Sequence, residues 1–399
     1  MSESEKNFDR SIYDSLIVKY NDYINTVRSI FQLQTNDIAS LYNLISQNLI
    51  QKYKVPSSCI LQMIARALEN NDRYIIGYWE LFNKIYLEFK PSLNFPGLST
   101  RVRCLIAKDL GINTNISPFE LNFSQKTVQE ILNVYESDNI LYSIYKNDFE
   151  MFKKFANEDE FNINQVIDDK SLLEWASYYG TAEIFKYLRI NGAELTENCQ
   201  VYSYIGRNSQ IINEIMSSIS HKSSKCIETS ICSHQIDFPI YFYMNFGYEL
   251  PLEEAAIYFN LHCFLAMFCE LKGADFCLVC SPSFGIPSLI EDLLANCKSF
   301  SDFGHLLLHA MNNCPEDVVL CVLDIIVEKG FDVNYIDENN KSPIMIAIGK
   351  IFKKVVKSLI DKGCDINKEY ENNLTPIMYA KMLNLRDVVD VLIDGGAED

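Results

Sequence analysis

The sequence lacks the long hydrophobic runs that mark membrane proteins. No stretch of about 18 consecutive apolar residues occurs, so no segment is predicted to span a bilayer as a helix. The first residues are polar, and no apolar segment follows a basic one, so we expect no secretory signal. These absences predict a soluble protein in the cytoplasm, with the nucleus as the alternative compartment.

Positive charge is also scarce. The 399 residues include 35 Lys and Arg but 53 Asp and Glu, which gives a net charge of −18 at neutral pH. Such a field repels phosphate groups, so nucleic acids and anionic membrane surfaces are not predicted as partners. For a protein partner, the same charge predicts a basic or mixed surface and an association that weakens with salt.

Catalytic motifs are missing as well. The sequence has only 5 His, and it contains no glycine-rich phosphate loop, serine-hydrolase elbow or His-Glu-x-x-His motif. We therefore predict no enzymatic activity and no cofactor. The alternative is an enzyme whose site lies within residues 1–137, where Cys59 and Cys104 are the only thiols and no His occurs.

Cysteine is frequent, but its arrangement excludes a disulfide-rich protein. The 13 Cys are odd in number and lack the spacing of a disulfide framework, so reduced thiols are expected. A zinc- or redox-dependent regulator is the alternative function, and it would use two groups of central residues: Cys277 with Cys280, and His221, Cys226, Cys232 and His234. Neither group has the spacing of a zinc finger, so we predict no metal site and interpret these thiols as buried.

What the sequence does hold is apolar residues at helical spacing. The N-terminal part has steps of three and four that predict one long helix, with a stripe of Ile12, Leu16, Tyr20, Ile24, Val27 and Phe31. Pro91, Pro96 and Gly97 indicate a boundary. We predict an N-terminal helical domain over 1–95 and a helical connector over 96–137, in which Thr127 and Glu130 form a capping box.

A repeat of 33 residues is the clearest pattern near the C-terminus. Residues 342–347 read Ser-Pro-Ile-Met-Ile-Ala, and residues 375–380 read Thr-Pro-Ile-Met-Tyr-Ala. Residues 330–334 and 363–367 share the pattern Gly-x-Asp-x-Asn at the same spacing. Ser or Thr predicts an N-cap, Pro a first helical turn, and Gly a left-handed residue after the second helix. Such a unit leaves one face bare, so only stacking of several units buries it.

These motifs resemble the ankyrin repeat, which carries the same two patterns in the same order. The resemblance is strongest over 338–399 and extends with drift back to residue 138. It implies an all-α fold in which the N-terminal helical domain precedes an ankyrin-repeat solenoid of antiparallel helix pairs with extended loops. We expect about six to eight repeats over 138–399, divergent over 200–300. The combination is similar to the expanded ankyrin family of trichomonad protozoa.

The resemblance also implies a function. Ankyrin proteins bind partner polypeptides, mostly through loop tips and the exposed side of the first helix, which line a concave surface. We therefore expect a non-catalytic scaffold or adaptor. Carried onto this sequence, the partner-binding positions are Lys170, Trp175, Tyr178, Tyr179, Glu338, Asn339, Lys341, Lys350, Glu371, Asn372, Leu374, Tyr379 and Met382. Asn340 and Asn373 replace the usual Gly at the loop tip, and Asn tolerates the left-handed backbone that this turn needs.

The last repeat should expose part of its apolar face. Its final helix carries Asp387, Asp390 and Asp394, and no polar capping helix follows. Terminal repeats need a polar outer face, so we expect Val391 and Ile393 to be partly exposed beside these carboxylates.

This exposure predicts the effect of one substitution. Val391→Lys should leave solubility unchanged or improve it, because it replaces a partly exposed apolar side chain with a charged one. The soluble fraction after centrifugation measures this effect. Loss of helical circular dichroism in the variant would contradict the prediction.

Overall fold

The computed structural model describes residues 10–34, 38–93, 97–112, 123, 125–218, 223–235, 237–269, 274–297, 300–337, 340–370 and 373–398. Within these ranges the regular secondary structure is almost entirely helical, which confirms the all-α prediction. The strands β1 (Val166–Ile167) and β2 (Lys170–Ser171) form one short antiparallel hairpin. None of the helices in these ranges combines the length and the hydrophobicity that a bilayer-spanning segment requires.

The N-terminal helices form a bundle around an apolar centre. They are α1 (Arg10–Lys19), α2 (Asn21–Phe31), α3 (Ile38–Leu44) with a π-helical extension (Ile45–Lys52), α4 (Ser57–Asn70), a 3-10 turn (Asp72–Tyr74), α5 (Ile75–Phe89) and α6 (Thr100–Asp109). The stripe predicted as one long helix is divided into α1 and α2 at Tyr20, whose ψ of 14° leaves the helical range. Tyr20 still donates its amide to Leu16 O (2.9 Å), so the division is a bend.

A short helix and nine successive helix pairs follow in the described residues. The short helix, α7 (Val128–Leu132), starts with the predicted capping box of Thr127 and Glu130. The pairs are α8 (Ile140–Lys146) with α9 (Phe149–Ala156), α10 (Leu172–Tyr179) with α11 (Ala182–Ile190), α12 (Glu197–Gly206) with α13 (Ser209–Ser218), α14 (Lys225–Cys232) with α15 (Asp237–Phe246), α16 (Leu252–Ile257) with α17 (Leu261–Phe268), α18 (Ala274–Cys280) with α19 (Pro287–Asn296), α20 (Phe303–Asn313) with α21 (Glu316–Glu328), α22 (Pro343–Gly349) with α23 (Lys353–Asp361), and α24 (Pro376–Met382) with α25 (Arg386–Asp394). First helices pack on first helices and second helices on second helices, which is solenoid stacking.

The repeat motif has the local structure that its residues predict. Ser342 caps α22 by accepting a hydrogen bond from Met345 N (3.4 Å), and Pro343 occupies the first helical turn. Ala347, in the same helix, is fully buried, so it lets the neighbouring helix approach. Gly363, after α23, has φ +89°, a conformation that costs glycine little and other residues more. At the last pair, Ile393 is 53% exposed and Val391 is half-buried, as expected.

In three of the described repeats, an Asn in the loop after the second helix bonds to the next repeat. Asn334 Oδ1 accepts from Asp365 N (2.8 Å), and Asn367 Oδ1 accepts from Glu398 N (2.9 Å), 31 residues later in both cases. Asn164 makes the corresponding bond to Glu194 N (3.1 Å). Each bond satisfies a backbone amide of the following repeat. The pattern therefore specifies stacking as well as the shape of one unit.

The N-terminal helices lie along the edge where first helices end. The last carbonyls of a helix have no partner within that helix, and side chains of the N-terminal bundle donate to several of them and to Phe284 O, which ends a 3-10 turn (Ser281–Phe284) after α18. The bonds are Arg73 Nε to Tyr145 O (2.8 Å), Arg73 Nη2 to Ile144 O (3.3 Å), Gln32 Nε2 to Ser233 O (3.1 Å) and His234 O (3.0 Å), Tyr23 Oη to Phe284 O (3.0 Å), and Gln62 Nε2 to Asn313 O (3.3 Å). We call this contact the docked edge.

Apolar packing joins the N-terminal bundle to the later repeats in one core, whereas most buried residues of α8 to α13 form a second core. Phe31 stacks on the buried imidazole of His234 with ring centroids 4.3 Å apart. Gly285 faces Cys59 so closely that a Cβ there would lie 2.7 Å from Cys59 Sγ. Burying one large apolar side chain such as Phe31 stabilises a protein by roughly 2 kcal/mol. The bundle and the later repeats are therefore expected to unfold together.

His234 makes the docked edge sensitive to acid. It donates from Nε2 to Tyr258 O (2.7 Å), and burial lowers its pKa from 6.5 to about 3. In the unfolded chain the His234 imidazole becomes protonated near pH 6.5, whereas in the folded chain it stays neutral until the pH approaches 3. The stability contributed by neutral His234 is therefore present above pH 6.5 and is lost as the pH falls towards 3.

Between pH 7 and pH 5, this one group should lower the free energy of unfolding by about 2 kcal/mol. Urea denaturation at a series of pH values measures the slope. His234→Asn should reduce the slope, because Asn keeps an amide donor and does not titrate. His305→Asn is the matched control, since that imidazole is exposed on α20. Equal slopes in wild type and His234→Asn would contradict the prediction.

Candidate functional site

Two of the predicted partner-binding residues lie in an aromatic cluster within the second helix pair. Trp175 is buried and donates from Nε1 to Ile167 O (2.9 Å) of the short hairpin. The ammonium of Lys170 lies 4.5 Å from the Trp175 ring centroid and 5.3 Å from that of Tyr202. Tyr135, ahead of the repeats, packs edge-on against Trp175. The side chains of Lys170 and Trp175 are therefore both engaged in contacts within the chain.

Tyr178 and Tyr179 are placed next to this cluster. Tyr179 is buried, and its hydroxyl donates to Asp72 Oδ1 (3.2 Å) of the N-terminal bundle. Burial raises the pKa of the Asp72 carboxyl, and the guanidinium of Arg101, 3.5 Å away, opposes that rise. The half-buried Tyr178 packs edge-on against Tyr179. Tyr179 thus serves the docked edge in this structure.

Two polar cavities lie in the seam between the N-terminal bundle and the repeats. One, of about 220 Å³, includes Gln62 and Asn313, and the other, of about 260 Å³, includes Asp72 and Arg73. All four of these residues already take part in bonds across the docked edge. We interpret both cavities as features of that intramolecular interface.

The C-terminal repeats carry a third and larger recess, which we call the C-terminal groove. It has a volume of about 460 Å³ and lies across α22 and α24 and the loops that precede them. Its lining residues are Asn312, Asn340, Lys341, Met345, Ile346, Gly349, Lys350, Tyr370, Leu374, Tyr379 and Met382. Five of the predicted partner-binding residues are thereby brought together: Lys341, Lys350, Leu374, Tyr379 and Met382.

The floor of the groove is shaped by the approach of two first helices. Gly349 ends α22, and a Cβ at this position would lie 3.2 Å from the hydroxyl of Tyr379. Met345 and Leu374 are half-buried, whereas Met382 is 58% exposed at the rim. The groove therefore offers apolar surface at graded depth, and Met side chains adapt readily to an irregular ligand.

The wall of the groove includes one buried polar atom, the hydroxyl oxygen of Tyr370. The hydroxyl of Tyr370 is buried and makes no hydrogen bond of standard geometry to the described residues. Burial raises the pKa of this phenol, and its interaction with the Ser342 side chain opposes the rise. Tyr370 therefore keeps its proton at neutral pH and presents a donor to the groove.

The loops before α22 and α24 hold the turn residues as predicted. Asn340 and Asn373 adopt φ +57° and +56°, the left-handed conformation that the sequence requires of them. Tyr370 N donates to Leu374 O (3.0 Å) and closes the second loop. The remaining predicted residues of these loops, Glu338, Asn339, Glu371 and Asn372, lie outside the described residues.

Several groove residues were missed from the sequence although the repeat points to them. Ile346 stands 33 residues before Tyr379, and Gly349 stands 33 residues before Met382, so a strict shift by one repeat finds both. Met345 follows from its helical position beside Ile346. Tyr370 gives no such signal, because the residue one repeat earlier is Asp337.

The central thiols lie in the apolar core. Cys277 and Cys280 are both buried, and burial raises the pKa of Cys280 to about 12 and that of Cys277 well above its usual range. His234, from the second candidate group, is committed to Tyr258 O, and His221 lies outside the described residues. In the part of the chain that the structure describes, no three His, Cys, Asp or Glu side chains converge as metal ligands would.

Comparison with protein-family models finds two matches. Residues 283–399 match ankyrin repeats (3 copies), and residues 190–267 match a domain of unknown function, DUF3447. Comparison with curated proteins finds no match. Ankyrin repeats and a DUF3447 domain are thus present, and the C-terminal groove lies inside the ankyrin match. The similarity to the ankyrin family of trichomonad protozoa remains a prediction.

The burial of the thiols predicts their reactivity. Iodoacetamide at pH 7.5 should modify Cys297 and Cys321 first, because both are only half-buried. Cys277 and Cys280 should react at least about tenfold more slowly, since the thiolate is the nucleophile and burial suppresses it. Mass spectrometry of tryptic peptides measures each rate, and the urea-unfolded chain, in which all four should react alike, is the control. Labelling of Cys277 as fast as that of Cys297 in the folded chain would favour the redox alternative.

Proposed function

We propose that this protein is a non-catalytic adaptor that binds a partner polypeptide in the C-terminal groove. The observation that carries the proposal is the position of the groove. The described hydrogen bonds that join the N-terminal bundle to the repeats run from Ile144 to Asp317, whereas the groove residues after Asn312 span 340–382. Ankyrin repeats support a protein–protein interaction role. The groove is the repeat surface that the bundle leaves open for such a partner.

The chemistry of the groove suits a polypeptide. Tyr379 is a semi-rigid aromatic of the kind that dominates binding energy at interfaces, and the exposed Met382 adds adaptable apolar surface. Backbone and side-chain polar groups at Asn340 and Tyr370 can bond to a peptide backbone. Because the repeats are already folded, association need not order the groove again.

The same residues give little support to catalysis. Among the described lining residues of the groove there is no Cys, His, Asp or Glu to act as nucleophile or general base. In the N-terminal segment, Cys59 and Cys104 are both buried. The adaptor is therefore the better supported alternative.

Photo-crosslinking from the groove tests this proposal. A photoreactive methionine analogue at Met382 of the full-length chain should crosslink a polypeptide from cell extract. The same analogue at Met244 is the matched control, because Met244 is 74% exposed on α15, away from the groove. Equal yields at the two positions, or none at Met382, would count against binding in the groove.

A substitution in the groove tests the same site. Leu374→Asp should lower the yield at Met382 about tenfold, because it places a charge in the apolar part of the groove. Circular dichroism and the urea midpoint confirm that the variant is folded. A folded Leu374→Asp variant that crosslinks as well as wild type would contradict the proposal.

A further inference from the structure

We propose that the cavity between the N-terminal bundle and the second and third helix pairs binds a phosphate group, either as inorganic phosphate or as the end of a small phosphate monoester. This cavity is the one of about 260 Å³ that includes Asp72 and Arg73, and we call it the seam cavity. The inference does not depend on the C-terminal groove, because the two recesses share none of their described lining residues.

Two arginines line the seam cavity from opposite sides of the docked edge. Arg73 belongs to the bundle and donates from Nε and Nη2 to Tyr145 O and Ile144 O at the end of α8. Arg207 follows α12 and donates from Nη1 to Phe31 O (3.1 Å) of the bundle. A guanidinium has five N–H groups, so each arginine keeps further donors after these bonds. The cavity therefore has donors from both of the units that it separates.

These two arginines are not balanced by carboxylates of their own. In the part of the chain that the structure describes, no carboxylate lies within ion-pair distance of either guanidinium. Burial lowers the pKa of Arg207, and the positive charge of Arg73 adds to the fall, so the two cations repel each other across the seam. An anion between them would replace this repulsion with attraction, at a place where water screens charge less than it does at the surface.

Asp72 is the acidic residue among the described lining residues, and both of its carboxylate oxygens have partners. Oδ1 accepts from Tyr179 Oη (3.2 Å), and Oδ2 lies 3.5 Å from Nη1 of Arg101. Burial lowers the pKa of Arg73, and Asp72 is one of several neighbours that oppose the fall. No carboxylate is among the groups that shift the pKa of Arg207. The negative charge of Asp72 therefore leaves the Arg207 side of the cavity without a counter-ion.

The charges at the seam cavity leave an excess of two positive charges. Three guanidinium groups stand against one carboxylate, those of Arg73, Arg101 and Arg207 against that of Asp72. Glu69 lies outside the lining and forms its ion pair with Arg66 (3.9 Å). The excess matches a phosphate dianion, whereas a carboxylate ligand would neutralise half of it. Guanidinium groups also bind phosphate oxygens in pairs, which adds geometry to charge.

The size of the cavity and its hydroxyl groups favour a small ligand rich in acceptors. Pockets for drug-sized molecules measure about 300 to 1,000 Å³, and the seam cavity, at about 260 Å³, is smaller than these. Tyr74 and Tyr178 line it, and neither hydroxyl bonds to the described residues. Burial raises the pKa of Tyr178, so this phenol keeps its proton at neutral pH and can donate. A phosphate group offers acceptor oxygens to such a wall of donors.

Isothermal titration calorimetry of the full-length chain at pH 7.5 and constant ionic strength tests the site. One inorganic phosphate per chain should bind, and acetate should bind at least about tenfold more weakly, because it carries one charge and two oxygens. Glycerol 3-phosphate is titrated in parallel. Tighter binding of glycerol 3-phosphate than of inorganic phosphate would assign the site to a monoester, and the reverse would assign it to free phosphate. Either result supports the phosphate site.

Matched substitutions locate the binding. Arg207→Gln should weaken phosphate binding at least about tenfold, because it removes one guanidinium from the cavity wall. Arg207→Lys keeps the charge and a donor for Phe31 O but loses the paired donors, so it should weaken binding several-fold. It carries the test should the Gln variant lose the fold. Arg386→Gln is the control with the same net charge as Arg207→Gln, and its affinity should equal that of wild type, because Arg386 is exposed on α25.

The urea midpoint gives a second readout. Phosphate should raise the midpoint of wild type and of Arg386→Gln in a saturable way, because it binds the folded chain and not the unfolded one. Phosphate also stabilises proteins by exclusion from their surface, and only this unsaturable part should remain in Arg207→Gln.

Three results would overturn the phosphate site. They are the absence of saturable phosphate binding, equal affinity for acetate and phosphate, and equal phosphate affinity in wild type and the folded Arg207 variants. None of them bears on the C-terminal groove, for which the crosslinking yield at Met382 decides.

Discussion

The capping of helix ends by the N-terminal bundle is the interaction on which the rest of the structure depends. A stack of short helix pairs presents a row of carbonyls at the ends of its first helices, and each buried carbonyl needs a donor. Arg73, Gln32, Tyr23 and Gln62 supply such donors at four places along the stack. The bundle thus satisfies helix-end carbonyls along the edge of the stack.

This arrangement divides the repeats into two regions with different roles. From α8 to the start of α21, the repeats share hydrogen bonds with the bundle. The last two pairs, α22 to α25, continue the stack by means of the Asn334 and Asn367 links. Their first helices and loops form the C-terminal groove. Binding is proposed where the chain does not already use its own repeat surface.

Charge follows the same division. The net charge of −18 describes the whole molecule, but a ligand in the groove responds to residues within about one screening length. Lys341 and Lys350 line the groove, and Lys354 and Lys362 form ion pairs with Asp317 and Asp324 on α21.

The sequence by itself determined the helical class, the 33-residue unit and its turn chemistry, because caps, prolines and left-handed residues act within a few neighbouring residues. The same local logic located five groove residues by their place in the repeat. Only the tertiary structure decided which repeat positions are open. Trp175 and Tyr379 occupy the same position of the unit, yet Tyr135 covers the first and the second lines the groove. That difference arises from packing between segments far apart in the chain, which no local pattern encodes.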